Sequence, residues 1–151
     1  MLGILDEQQI DTFLRSKLIG RLGCSSQDNP YVVPIAYAYD GEFIYGHTQE
    51  GKKIDLLRKN PKVCFEVDQI DDLANWRSVV IHGEFEELNT DQKALEQALR
   101  LITNRMTPFK SGESSLPHYG MEKSSYRLKP QTKLVTYRIK ILERHGRFEK
   151  E

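Results

Sequence analysis

Residues Pro30–Asp68 read PYVVPIAYAYDGEFIYGHTQEGKKIDLLRKNPKVCFEVD. The first part alternates, with Tyr31, Val33, Ile35, Tyr37 and Tyr39 falling on one side of an extended chain, the period of a half-buried strand. Asp40-Gly41 is a strong hairpin signal, and EFIYGHT returns from it as a second strand. At residues 50–60 the period changes to that of a helix, with Ile54, Leu57 and Arg58 in step before Asn60-Pro61 stops it. KVCFEVD then resumes the strand period through Val63, Phe65 and Val67. A hairpin, a short helix and a third strand within 39 residues predict a compact, mainly antiparallel β architecture.

Working outward, Asp6 with Gln9 three positions later forms a capping box ahead of a helix carrying Ile10, Phe13 and Leu14. LIGRLGC at 18–24 reads as a strand, and SSQDNP after it as a turn. Beyond Asp68, QIDDLAN reads as a polar linker. WRSVVIHGEFEEL follows as a long strand in which Gly83 marks a bend or bulge, while His82 and Glu84 face solvent by alternation. Thr90 is expected to cap the longest helix, which carries Leu95, Ala98, Leu99 and Ile102 as its apolar stripe. Residues 107–130 show no period and are rich in Pro and Gly. They also carry Phe109, Leu116, Tyr119, Met121 and Tyr126, too many large apolar groups for a solvated linker, so part of this segment is expected to pack over the sheet or a partner subunit and to shape a substrate pocket. TKLVTYRIKILE closes the sheet, leaving RHGRFEKE as a polar tail. About six antiparallel strands with short helices predict a small closed or split β-barrel, in which closure removes the exposed edges.

The chain has 151 residues, 38% of them hydrophobic, which predicts one domain over 1–151. Lysine plus arginine and aspartate plus glutamate number 22 each, so no global field favours nucleic acid or an anionic membrane, and any anion site has to be local. No apolar run reaches membrane-spanning length and the N-terminus lacks the pattern of a signal peptide, which makes cytoplasmic the expected location. Cys24 and Cys64 lie far apart and lack partners at metal-ligand spacing, so both are expected to be reduced packing residues, with no metal site.

Lys52 and Lys53 sit where the strand period gives way to the helix. Two cations at a helix start are locally unfavourable, since the macrodipole already places positive charge there. A solvated surface pair is one reading. The other is an anion bound between the lysines and the free N–H groups of the first turn, with Gly51 allowing close approach.

Taken in order, the strand PYVVPIAYAY, its return EFIYGHT, the helix starting GKK, the strand KVCFEVD and the strand WRSVVIHGEFEEL resemble the pyridoxamine 5′-phosphate oxidase-like, FMN-binding split-barrel family. The branch most similar is that of the nitroimidazole-resistance proteins. The resemblance is close over residues 10–88 and looser to the closing strand and the GRFE of the tail. It implies a homodimer with two FMN molecules at the interface, each touched by both chains. Lys52 and Lys53 correspond to the basic pair that holds the FMN phosphate, a group carrying about two negative charges near neutral pH. His47 and Thr48 correspond to positions against the flavin or its ribityl chain, and a plain partly buried strand histidine is the alternative for His47. Val33, Pro34 and Ile35 correspond to the segment along the isoalloxazine ring, with main-chain groups of Val33 and Ile35 near its polar edge. Otherwise Pro34 is an ordinary edge-strand proline. Trp76, Arg77 and Ser78 correspond to the partner subunit's contribution, and Trp76 reads equally as a core or interface aromatic.

The arginine-rich C-terminal motif of true pyridoxamine phosphate oxidases has no match here, which speaks against vitamin B6 oxidation. The resemblance therefore implies an FMN-dependent reductase of a small oxidised or nitro-bearing compound. A nicotinamide donor would visit only transiently, because no Gly-rich dinucleotide fingerprint is present. Other readings are an FMN carrier or redox sensor without robust turnover, and a haem-binding relative using His118.

Overall fold

The computed structural model describes residues 1–109 and 133–151. Among these residues are eight strands, β1 (Leu2–Ile4), β2 (Ile19–Ser26), β3 (Asn29–Ala36), β4 (Ala38–Tyr39), β5 (Phe43–Gln49), β6 (Lys62–Asp72), β7 (Asn75–Glu87) and β8 (Leu134–Glu149). Three helices accompany them among the described residues, α1 (Glu7–Ser16), α2 (Lys52–Lys59) and α3 (Gln92–Met106), and a 3-10 turn covers Thr107–Phe109. All strand pairs are antiparallel, in the order β3-β2-β6-β7-β8-β5-β4, with β1 added to the end of β8.

The two outer strands of that order, β3 and β4, are consecutive in the chain and separated only by Tyr37. One continuous run thus pairs first with β2 and then with β5, which brings the two edges of the sheet together as a split barrel. Tyr37 makes this possible. Its N–H donates to Leu18 O at 3.0 Å, its hydroxyl donates to Leu14 O at 2.7 Å, and its ring meets Phe65 edge-on with centroids 5.1 Å apart.

Inside the barrel Leu22, Phe65, Ile81, Val67, Val79, Tyr137 and Ile139 are buried, each on the inward phase of its strand. α1 closes one end with Ile10, Phe13 and Leu14, and fully burying such side chains stabilises by about 1.5–3 kcal/mol apiece. The capping box forms as read, Gln9 N to Asp6 Oδ1 and Asp6 N to Gln9 Oε1, both at 2.8 Å. A second cluster sets Ala98, Ile102 and Met106 of α3 against Ala38 and Tyr45.

The sheet has eight strands where the periodicity predicts about six, because Tyr37 divides one long strand in two and β1 is too short to show a period. QIDDLAN is no linker. β6 runs on to Asp72, whose side chain accepts from Ala74 N at 2.8 Å and turns the chain tightly into β7. RHGRFEKE is no loose tail either, because β8 continues to Glu149, paired with β7 and β1. Asp91, not Thr90, caps α3, accepting from Ala94 N at 3.2 Å. Cys24 is buried but Cys64 points outward, so only the first is a packing residue. Gly83 does mark a bulge: the β7–β8 register shifts between His82 and Gly83, leaving Leu142 of β8 unpaired. The expectation for residues 107–130 falls almost entirely outside the described residues, as does His118.

Candidate anion site at the start of helix α2

β5 runs into α2 through Glu50 and Gly51, so Thr48 stands four residues ahead of Lys52. The helix is held by its buried face, Ile54, Leu56 and Leu57, and by Arg58. That guanidinium donates to both carboxylate oxygens of Glu50 at 2.8 Å and to Glu87 at 2.7 and 3.1 Å, clamping α2 between the ends of β5 and β7. The helix start is thereby mounted on two strands.

Gly51 precedes the first turn and provides no side-chain cap. Its φ of 175° is open to any residue, and a Cβ added there meets nothing within 4 Å, so packing within the described chain does not demand glycine. Both lysines reach the same cross-strand pair, although adjacent helical side chains start about 100° apart. Cys24 of β2 and Tyr31 of β3 are direct partners in the register. Lys52 places its ammonium 5.0 Å from the Tyr31 ring centroid, and Lys53 lies close enough to Cys24 for the two to influence each other's titration. Lys52 is exposed. Lys53 is half-buried, and that burial lowers its pKa below the ordinary value near 10.5. Among the described residues neither lysine makes an ion pair. A desolvated cation with no carboxylate, beside a second cation and uncapped helical N–H groups, is chemically suited to an anion. Tyr31 escaped the sequence reading because its place opposite Cys24 depends on where the hairpin turns. Gln27 and Asp28 supply that turn with φ of 51° and 62°, a two-residue connection with both central residues left-handed.

His47 and Thr48 are half-buried on β5, opposite Thr136 and Val135 of β8. Val33, Pro34 and Ile35 lie on β3, whose far edge carries no strand among the described residues. Tyr37 N bonds toward β2, and antiparallel pairing alternates, so Ile35 and Val33 also direct their main-chain groups to β2. The open edge is therefore presented by Val32, Pro34 and Ala36, one residue out of phase with the expectation for Val33 and Ile35. Pro34 sits where its missing N–H costs no ladder bond.

The triplet at the start of β7 is split by alternation. Trp76 and Ser78 share the outward phase, Trp76 Nε1 donating to Glu149 at 3.2 Å and Ser78 Oγ to Glu66 at 3.3 Å. Arg77 is turned the other way, with its guanidinium 5.2 Å from the Phe13 ring centroid of α1. Within one chain this group is also remote from α2. Cys64, beside Gly23 near the lysine end, and Gln69, opposite Arg77, are separated by about 16 Å of strand at 3.3 Å per residue. No His, Cys, Asp or Glu grouping among the described residues could hold a metal ion, and no described helix is long and apolar enough to cross a membrane.

An antiparallel sheet whose two end strands are one continuous run, with a basic helix start between its strands, defines a split β-barrel with a basic corner. The chain belongs to the pyridoxamine 5′-phosphate oxidase family, whose model matches residues 6–138. Over 74 residues it is 40% identical to an uncharacterised protein of Rhizobium meliloti, a match spanning 49% of this chain and 49% of that one. The curated relative is thus matched over about half its length. Among solved structures, a FAD-binding protein from Mesorhizobium loti superposes with a TM-score of 0.73 at 27% identity, covering 100% of this chain and 98% of that one. A candidate 5-nitroimidazole antibiotic resistance protein from Bacteroides thetaiotaomicron shares the fold, with a TM-score of 0.72, 19% identity and coverage of 98% and 87%. So does a FAD-binding protein from Mycobacterium smegmatis, with a TM-score of 0.69, 21% identity and coverage of 99% and 100%.

Proposed function

We propose that this protein binds a flavin nucleotide, FMN, with the 5′-phosphate at Lys52 and Lys53, and acts as an oxidoreductase on a small oxidised or nitro-bearing compound in the cytoplasm. The observation that carries the reading is Lys53, a half-buried cation without an ion pair among the described residues, at a helix start it shares with Lys52. Family membership and the 27% identical FAD-binding relative support a flavin as the group that brings the anion. Lys53 would hold the phosphate from the protein side and Lys52 from the solvent side, while Thr48 offers a hydroxyl to phosphate or ribityl oxygens. The open edge of β3 would run along the ring system. A bound flavin supplies reversible electron transfer, and the residues supply position and electrostatics. Reduced nicotinamide is proposed as a transient donor. The direct test is reconstitution: the purified protein should take up FMN stoichiometrically with a perturbed flavin absorption spectrum, and failure to bind any flavin ends the reading.

Burial of Lys53 gives the binding a pH signature. In the empty site its charged form is disfavoured, and a phosphate restores it. Between the lowered pKa and the ordinary value near 10.5, FMN binding should therefore take up a proton, and affinity should fall as pH rises, by up to about tenfold per unit. Calorimetry in two buffers of different ionisation enthalpy measures this uptake. Lys53→Arg should abolish it, because arginine stays charged throughout.

The separation of Trp76 and Ser78 from α2 within one chain leads us to propose a homodimer in which each flavin site joins α2 of one copy to the start of β7 of the other. Ile19, Val32 and Ile70 on the outward phase of β2, β3 and β6 are 55%, 67% and 66% exposed, and such pairing would cover them together with the Arg21, Glu66 and Asp68 charges that lie between them. Light scattering at low micromolar concentration should give twice the chain mass. A monomer that still bound one FMN per chain would contradict the shared site.

A further inference from the structure

At the α1 end of the barrel, away from α2, a cavity of about 400 Å³ opens beside Gln69, Trp76 and Arg77. At its wall two cations meet on one neutral atom, the side-chain oxygen of Gln69, Arg77 from within the lining and Lys17 from behind it. The Lys17 ammonium donates to Gln69 Oε1 at 2.7 Å and the Arg77 guanidinium donates to the same oxygen at 3.3 Å. Both also lie over the ring of Phe13, at 5.5 and 5.2 Å from its centroid. Neither makes an ion pair among the described residues. The carboxylates of the cavity are taken by neutral donors instead, Asp71 by the Gln69 amide at 3.2 Å and Glu149 by the indole N–H of Trp76 at 3.2 Å. A chain that needed these cations only for stability would pair them with the carboxylates already present, because a charged pair is the stronger arrangement. An amide oxygen is a weak, displaceable acceptor.

We propose that Lys17 and Arg77 form a second anion subsite, which takes the carboxylate or phosphate of a small organic molecule whose remaining body lies in the cavity against Trp76. The proposal rests on this cavity and not on the flavin reading. Gln69 holds the two cations in place when the subsite is empty, and an oxyanion accepts from both at once in its stead. If the flavin reading also holds, this subsite is where the anionic group of a donor or acceptor would be gripped.

Trp76 is the sole tryptophan of the chain, so its fluorescence reports on the cavity directly. Sodium phosphate and sodium benzoate are titrated into the full chain at constant ionic strength, with chloride as the control. A saturable change with at least one of them is expected, and which one saturates separates phosphate from carboxylate. Gln69→Glu places a built-in carboxylate between the cations and should weaken the response at least about tenfold, as should Arg77→Met, since each removes a charge-assisted contact to the added anion. If Arg77→Met does not fold, Gln69→Glu decides alone, because it adds an ion pair to the network and should keep or raise the melting temperature. The proposal is overturned if neither anion gives a saturable change beyond chloride, or if Gln69→Glu responds like the wild type. Loss of flavin binding with an intact anion response would remove the flavin reading and leave this one standing.

Discussion

Replacing Lys52 and Lys53 together with alanine should lower FMN affinity about 30- to 1,000-fold while moving riboflavin affinity by less than about threefold. The asymmetry follows from charge: only FMN carries the phosphate, and charge-assisted hydrogen bonds contribute about 1.5–3 kcal/mol each. The low end of the range reflects Lys52, which is exposed and already occupied with the Tyr31 ring. Lys53, half-buried beside Cys24, should account for the larger share, so Lys53→Ala alone should weaken FMN more than Lys52→Ala alone. Calorimetric titration of the two ligands against wild type and variants measures all of this. Equal losses for FMN and riboflavin would mean that the lysines act on the fold or the ring site and not on a phosphate.

The second large effect concerns stability. Gly83→Val should destabilise the protein by about 3 kcal/mol, the upper end of ordinary overpacking costs. A Cβ at this position would stand 2.4 Å from the main-chain oxygen of Lys140 and 2.7 Å from Cγ2 of Ile139. The first obstacle is backbone, fixed in the β7–β8 ladder on both sides of the bulge, so it cannot step aside as a side-chain tip would. Gly51→Ala is the matched control. Its added Cβ meets open space at an extended φ, so unfolding free energy should change by no more than about 0.5 kcal/mol. Urea denaturation of the three proteins provides the comparison, and a Gly83→Val midpoint equal to wild type would refute the bulge as the reason for glycine.

Much of the architecture is written locally. Alternation over Tyr31–Tyr39, the Asp40-Gly41 turn and the change of period at Lys52 specify a hairpin feeding a helix, because side-chain periods of 2 and 3.6 and turn chemistry act over a few residues. Gly83 announced its bulge and Asp6 its capping box for the same reason. The lysine pair was equally visible, since a cation pair at a helix start is anomalous before any fold is known.

Other features exist only once distant segments meet. That Tyr37 divides one strand between two partners depends on Leu18 and Leu14 arriving from elsewhere in the chain. Only the register set by the Gln27-Asp28 turn brings Tyr31 opposite Cys24 and so gives both lysines a common neighbour. The same register decides that Pro34, and not Val33 or Ile35, presents its main chain to the open edge. Arg77 looked like a neighbour of Trp76 and Ser78 in one site, yet the pleat points its guanidinium to Phe13 and Gln69, so that it meets Trp76 only at the rim of the cavity beside α1. The amino-acid sequence by itself determined which elements form and which residues carry the charge, because propensity, periodicity and capping are short-range. Tertiary structure decided which charges are buried, which are left without a partner and which face one another, because burial and pairing are set by contacts between residues far apart in the chain.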